Sequence, residues 1–145
     1  MRATQLMTRD VRCILPETTI AEAYRLMHEL GVRHLPVVRE GQLVGMVSDR
    51  DFLGYATKAK DGTLVFSNKV NAGQVMSLDP VVGLQGAPVA ELADTMLTKH
   101  IDSLPIVGEG RRLVGLVTSA DLLTLLLERN EPLPMTFRIR PMATA

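Results

Sequence analysis

The chain has 145 residues, enough for one compact domain or two very small ones and too few for a separate large catalytic domain. Lys and Arg total 16 and Asp and Glu total 16, so the formal net charge is zero and no basic field draws in phosphate backbones, which argues against general nucleic-acid binding. With 46% hydrophobic and 22% charged residues the composition is that of a globular protein and not a disordered one.

The one cysteine, Cys13, can close no intrachain disulfide and no multi-thiolate zinc site, which fits a reducing, cytoplasmic setting. Met1 to Asp10 lack the apolar run of a signal peptide. The longest strongly apolar stretch, Leu122 to Leu127, falls far short of the ~20 residues that span a bilayer, so a soluble protein is expected.

The sequence repeats itself. Leu35-Pro36-Val37-Val38 overlies Leu104-Pro105-Ile106-Val107 at an offset of 69, which becomes 70 from Leu43 onward. Between Gln5 and Leu53, 18 of 48 aligned positions are identical, where about three would agree by chance. Met7/Met76, Asp10/Asp79, Glu22/Glu91, Gly45/Gly115 and Asp51/Asp121 are among them, and duplication is the simplest explanation.

In the first copy, Cys13-Ile14-Leu15 reads as a short strand ended by Pro16, with Cys13 a buried, inert thiol. A helix follows: Thr19 and Glu22 form a capping box, Ile20, Ala23, Tyr24, Met27 and Leu30 share one face, and Gly31 supplies a left-handed stop. His34 to Val38 and Leu43 to Val47 form an antiparallel hairpin across Arg39-Glu40-Gly41-Gln42, and Ser48 opens a second helix running to about Lys58. The second copy repeats the order with Leu104 to Val107, Leu113 to Val117 and a last helix from Ser119 to about Arg129; Pro88 replaces the capping Thr.

The predicted organisation is therefore residues 1–58 as the first repeat, 59–73 as a joining segment, 74–129 as the second repeat and 130–145 as a tail. The class is mixed α/β of the α+β kind, with strand, helix, strand, strand, helix in each copy. A copy of about 50 residues buries too little core to stand alone, so the copies should pack face to face about a pseudo-twofold axis.

The strongest local signal is Gly45-Met46-Val47-Ser48-Asp49-Arg50-Asp51, echoed by Gly115-Leu116-Val117-Thr118-Ser119-Ala120-Asp121. One copy alone is explained by a cap, the hydroxyl accepting from a backbone N–H and the acid sitting in the first turn. The same atoms also suit a nucleotide: a helix start and a hydroxyl can hold a phosphate, and a carboxylate one turn in can accept both hydroxyls of a ribose. Two such ends would make two nucleoside-shaped clefts.

This duplicated pattern, Leu-Pro-Val-Val followed by Leu-Val-Gly-Met-Val-Ser-Asp-Arg-Asp and by Leu-Val-Gly-Leu-Val-Thr-Ser-Ala-Asp, resembles a tandem pair of cystathionine-beta-synthase (CBS) domains over about Ala3 to Arg129. The resemblance implies a non-enzymatic regulatory module that binds AMP, ADP, ATP or S-adenosylmethionine between its copies, and disk-like homodimers. It implies that the cleft holding Ser48 and Asp51 places adenine near Val81, Ile101 and Asp102. The cleft holding Thr118 and Asp121 would place it near Arg12, Val32 and Arg33.

The two clefts are not equivalent in sequence. Arg33-His34 and Arg50 gather cationic donors beside Ser48, and Asp102 is an acceptor for the adenine amino group. Around Thr118 the corresponding residues are Asp102-Ser103 and Ala120, which disfavour a phosphate. The Asp51 cleft is therefore the expected phosphate-bearing site, and the Asp121 cleft is expected to be weaker, empty or suited to an uncharged nucleoside.

No resident cofactor, metal or catalytic constellation is expected, although magnesium can accompany a polyphosphate. His28 reads as exposed and His100 as a helix-ending dipole partner. Leu122, Leu123, Leu125, Leu126 and Leu127, with Phe52, Leu53 and Tyr55 in the first copy, are too apolar for surface helices and predict homodimerisation through the last helix of each repeat. Output to an effector protein in trans would run through that face, the joining segment or the tail with Phe137, Arg138 and Arg140. A ligand-free dimerisation scaffold, or a sensor of S-adenosylmethionine or NAD, is the alternative.

Overall fold

Thr19 starts the long helix of the first copy. Its Oγ1 accepts from the Glu22 N–H at 3.2 Å, and Glu22 Oε2 accepts from the Thr19 N–H at 3.2 Å. Gly31, with φ of 65°, ends it in the left-handed region. The computed structural model describes residues 1–129, and this helix, α2 (Ile20–Leu30), follows a single short turn, α1 (Ala3–Leu6). Ile20, Ala23 and Met27 are buried, whereas Leu30, expected on the same face, is 38% exposed. Three of the predicted positions already bury the stripe, and the helix end turns away from the core.

Strands β1 (His34–Arg39) and β2 (Gln42–Ser48) form the predicted antiparallel hairpin, with His34 opposite Ser48 and a bulge between Val37 and Val38. Glu40 and Gly41 both have positive φ, as a two-residue hairpin loop requires. The second helix of the copy departs from expectation. It is one turn, α3 (Asp49–Phe52), a 3₁₀ turn over Leu53–Tyr55 follows, and the chain then becomes strand β3 (Ala56–Lys58), paired with β4 (Leu64–Phe66) across Asp61-Gly62. The hairpin lets Phe66 enter the core against Tyr24, with ring centroids 4.1 Å apart, and against Phe52 at 6.3 Å. Burying that aromatic outweighs the weak helical preference of a stretch containing Gly54 and Thr57. The predicted joining segment thus contributes β4 and the start of a further turn, α4 (Ala72–Val75).

The second copy continues with β5 (Ser77–Leu78), β6 (Gly83–Leu84), α5 (Val89–Lys99), β7 (Ser103–Val107), β8 (Leu113–Thr118) and α6 (Ser119–Arg129). Pro88 is the N-cap of α5, and His100 ends it at φ of 55°. β7 and β8 repeat the first hairpin down to its bulge, and β6 pairs in parallel with β7. Its counterpart in the first copy is reduced to one bridge from Ile14 to Val37; Cys13 is exposed, so neither the predicted strand over Cys13–Leu15 nor the buried thiol is present.

The halves exchange their first segments. β5 pairs with β2 of the first copy, and Ala72 on α4 is buried in the first core beside Ile20, Leu35 and Phe52. In return Thr8 bridges to Leu116 on β8, and Ala3 and Met7 are buried in the second core with Leu92, Leu104 and Val117. The repeated Gln5 and Gln74 cap the exchanged turns alike, accepting from the N–H groups of Arg2 at 2.7 Å and Asn71 at 2.8 Å. Gly45 and Gly115 leave room for Met76 and Met7: a Cβ at Gly45 would lie 2.9 Å from the Ser77 carbonyl oxygen. Neither core is complete without residues from the other copy.

Candidate functional site

β2 delivers Ser48 at its end, and α3 begins at once. The Ser48 N–H donates to Asp51 Oδ2 at 2.7 Å, and the Asp49 N–H donates to the Arg33 carbonyl at 3.0 Å, which ties the start of α3 to the start of β1. In the second copy the Thr118 N–H donates to Asp121 Oδ2 at 2.8 Å, the Asp121 N–H donates to Thr118 Oγ1 at 3.3 Å, and the Ser119 N–H donates to the Asp102 carbonyl at 2.9 Å. The capping role read from the sequence is therefore present in both copies. In each, one carboxylate oxygen is used by the cap.

A cleft of about 430 Å³ lies between the copies, within the range of small-molecule sites. Arg33, His34, Ser48, Arg50 and Asp51 line it from the first copy, and Val81, Ile101 and Asp102 line it from the second, so all eight residues assigned to the first cleft meet on one hollow. Arg12, Val32, Thr118 and Asp121, assigned to the second cleft, are not part of it; Arg12 is exposed and Val32 is 38% exposed. Ten further lining residues were not assigned from the sequence, among them Ser77, Asp79, His100 and Ser103. Ser77 and Asp79 arrive through the exchange of β5, which no local pattern announces. His100 was legible as a helix end, but its place in the wall depends on how the copies meet.

The charges of the wall are divided. Arg33 Nε stands 3.3 Å from Asp49 Oδ2, so part of its charge is offset within the first copy, and both groups are open enough for solvent to screen the pair. Asp49 Oδ1 also accepts from the Arg50 N–H at 2.9 Å. Asp79 is at positive φ, with Arg111 Nη2 3.9 Å from its carboxylate. Arg33, Arg50 and the two histidines thus share the lining of one cleft with Asp49, Asp51, Asp79 and Asp102. With four residues, α3 is too short for the aligned peptide dipoles expected of a long helix, so the attraction of an anion rests on the arginines and on Ser48.

The other predicted features are distributed as follows. His28 is exposed and borders a hollow of about 370 Å³ between α2 and the β3–β4 hairpin, with Tyr24 and Phe66. Phe52 is fully buried, which removes it from the predicted dimer face, while Leu53 and Tyr55 remain exposed. α6 carries no buried residue, and Leu123, Leu126 and Leu127 are exposed at 61%, 44% and 81%. Among the described residues no helix is long and apolar enough to cross a membrane. The tail with Phe137, Arg138 and Arg140 lies outside the described residues.

Two copies of one unit, interlocked by exchanged segments around a shared cleft, define a paired-repeat module. The CBS domain family model matches residues 3–58 and again 72–128, and the chain belongs to the CBS domain family, as a tandem pair. A CBS domain-containing protein of Dictyostelium discoideum is 32% identical over 137 residues, covering 90% of this chain and 94% of that one. Two other curated relatives are longer, and the chain spans 44% and 23% of their length. The CBS domain pair of protein MJ0100, solved with 5-methylthioadenosine and S-adenosyl-L-methionine, superposes with a TM-score of 0.74 at 25% identity, covering 90% of this chain and 98% of that one. CBSX2, solved with AMP, has the same fold, with a TM-score of 0.76 at 24% identity over 90% of this chain and 99% of that one.

Proposed function

We propose that the chain is a non-catalytic ligand-sensing module that binds an adenosine-containing ligand, with an adenine nucleotide first among them, in the 430 Å³ cleft, and passes its occupancy to a partner protein in trans. The observation that carries this reading is the meeting of two complementary walls. Ser48, Asp51, Arg33 and Arg50 from one copy offer donors for a phosphate and a carboxylate for a ribose, and Val81, Ile101 and Asp102 from the other offer apolar contact and an acceptor for an exocyclic amine. Because both walls belong to one cleft, a ligand that fills it ties the copies together, and any second state in which they sit differently is disfavoured by its differential affinity. The Thr118 and Asp121 end is proposed as the weaker, non-phosphate position.

A cationic adenosine derivative such as S-adenosylmethionine is the second reading. It is favoured by the four carboxylates in the cleft and by the pairing of Arg33 with Asp49, and by the ligands of the MJ0100 pair. Magnesium would be needed by a polyphosphate facing the same carboxylates. Homodimerisation through α6 and its counterpart in the first copy is part of the proposal, supported by the exposed Leu123, Leu126, Leu127, Leu53 and Tyr55.

Thermal unfolding against AMP, ATP with and without magnesium, S-adenosylmethionine and NAD tests the reading. A ligand at 100 times its dissociation constant adds about 2.7 kcal/mol to stability, a readily measured rise in Tm. No rise with any of the four would leave a dimerisation scaffold in which Ser48 and Asp51 are caps alone.

A further inference from the structure

Ser103 is the first residue of β7, facing Thr118 of β8 in register and lying between the exposed Asp102 and the fully buried Leu104. The residue lines the cleft, yet its Oγ is shielded from solvent and has no hydrogen-bond partner among the described residues. A hydroxyl can donate one hydrogen bond and accept others, and withdrawing it from water without a partner is unfavourable. The backbone cannot shift to relieve this, because Ser103 is held by its pairing with Thr118 of β8. The side chain can move instead: a step between staggered χ1 rotamers re-aims Oγ, and the residue already borders the hollow.

The duplication indicates what it would meet there. The counterpart of Ser103 is His34, which stands with Arg33 on the basic side of the same cleft. Ser103 stands with Ile101 and Asp102 on the opposite side, where an apolar surface and an acceptor are suited to a flat heterocycle with an exocyclic amine. Asp102, as a carboxylate, only accepts; a purine also presents in-plane ring nitrogens that need a donor. We infer that Ser103 reads the base of the bound nucleoside, its hydroxyl turning into the cleft to donate to a ring nitrogen while Asp102 accepts from the amino group. The inference rests on the adenosine-ligand reading above and adds a specificity-determining residue to it.

The test is a coupling cycle between the hydroxyl and the base. Calorimetric titration compares the wild type, Ser103→Ala and Ser103→Thr against AMP and its 1-deaza, 3-deaza and 7-deaza analogues, with unfolding of each ligand-free protein alongside. Expected is a loss of about 5- to 10-fold in AMP affinity for Ser103→Ala, the size of one neutral hydrogen bond. One deaza analogue should show the same loss on the wild type and no further loss on Ser103→Ala, and Ser103→Thr should restore affinity. Ligand-free Ser103→Ala should unfold no earlier than the wild type, since an unsatisfied hydroxyl has been removed. Wild-type affinity for AMP in Ser103→Ala, or losses that multiply for all three analogues, overturns the inference and leaves the adenosine-ligand reading standing; a wild type that binds no adenosine compound overturns both.

Discussion

Asp51→Ala and Asp121→Ala separate capping from ligand binding, because the two carboxylates make the same local contact in different surroundings. Each accepts from the backbone N–H three residues earlier, at 2.7 Å for Asp51 and 2.8 Å for Asp121. Losing such a cap costs about 1 kcal/mol, which for a chain of this size lowers Tm by about 4 °C, and the two variants should match in that respect. Only Asp51 lies in the 430 Å³ cleft. If it accepts both ribose hydroxyls, two hydrogen bonds to a charged group vanish with it, about 3 kcal/mol in total, or ~100-fold in affinity. Calorimetric titration with AMP should therefore show a ~100-fold loss for Asp51→Ala and less than threefold for Asp121→Ala. Equal losses in the two variants, or no loss in Asp51→Ala, would refute the assignment of phosphate and ribose to the first cleft.

Gly45→Ala forces a Cβ to within 2.5 Å of Met76 Sδ and 2.9 Å of the Ser77 carbonyl, and a backbone atom cannot yield cheaply, so stability should fall by about 1–3 kcal/mol in urea unfolding. Gly54→Ala, with nothing within 4 Å, is the control and should be close to neutral; equal effects would contradict the close approach of the exchanged segment. Glu17 is held below its ordinary value of 4.5 chiefly by the hydrogen bond from Arg39. A carboxyl lowered in the folded state stabilises fully above its unfolded value and loses that contribution as pH falls through the folded one. The urea midpoints of wild type and Glu17→Gln should accordingly differ at pH 7 and converge as pH falls below 4.5 and through the lowered folded-state value, and a difference independent of pH would rule the pair out as the cause. Leu127→Glu places a charge on the most exposed leucine of α6 and should shift light scattering on dilution from a dimer toward the 15.9 kDa protomer; an unchanged mass would locate the contact elsewhere.

The duplication, the two repeated hairpins and the long helices were legible from short-range patterns because each is decided by contacts near in sequence. Thr19 with Glu22 and Gly31 bounded α2, the Glu40-Gly41 turn set the first hairpin, and the repeated Ser/Thr-x-x-Asp located both caps. The eight residues assigned to the first cleft, through the repeat and the family resemblance together, line one hollow. The errors fall where a distant partner decides the outcome. Ser48 to Lys58 looked helical until Phe66, far along the chain, required a place between Tyr24 and Phe52, and the strand around Cys13 shrank to a single bridge.

Sequence by itself determined that there are two like halves and which residues each would present, since covalent order and local propensity carry that information. Tertiary structure alone decided that each half lends its first turn to the core of the other, Ala72 to one and Ala3 with Met7 to the other. It also decided that Ser77, Asp79, His100 and Ser103 complete the cleft. The physical reason is the same in both cases: a repeat of about 50 residues cannot bury its apolar surface alone, and the exchange that completes its core also sets the walls of the cleft.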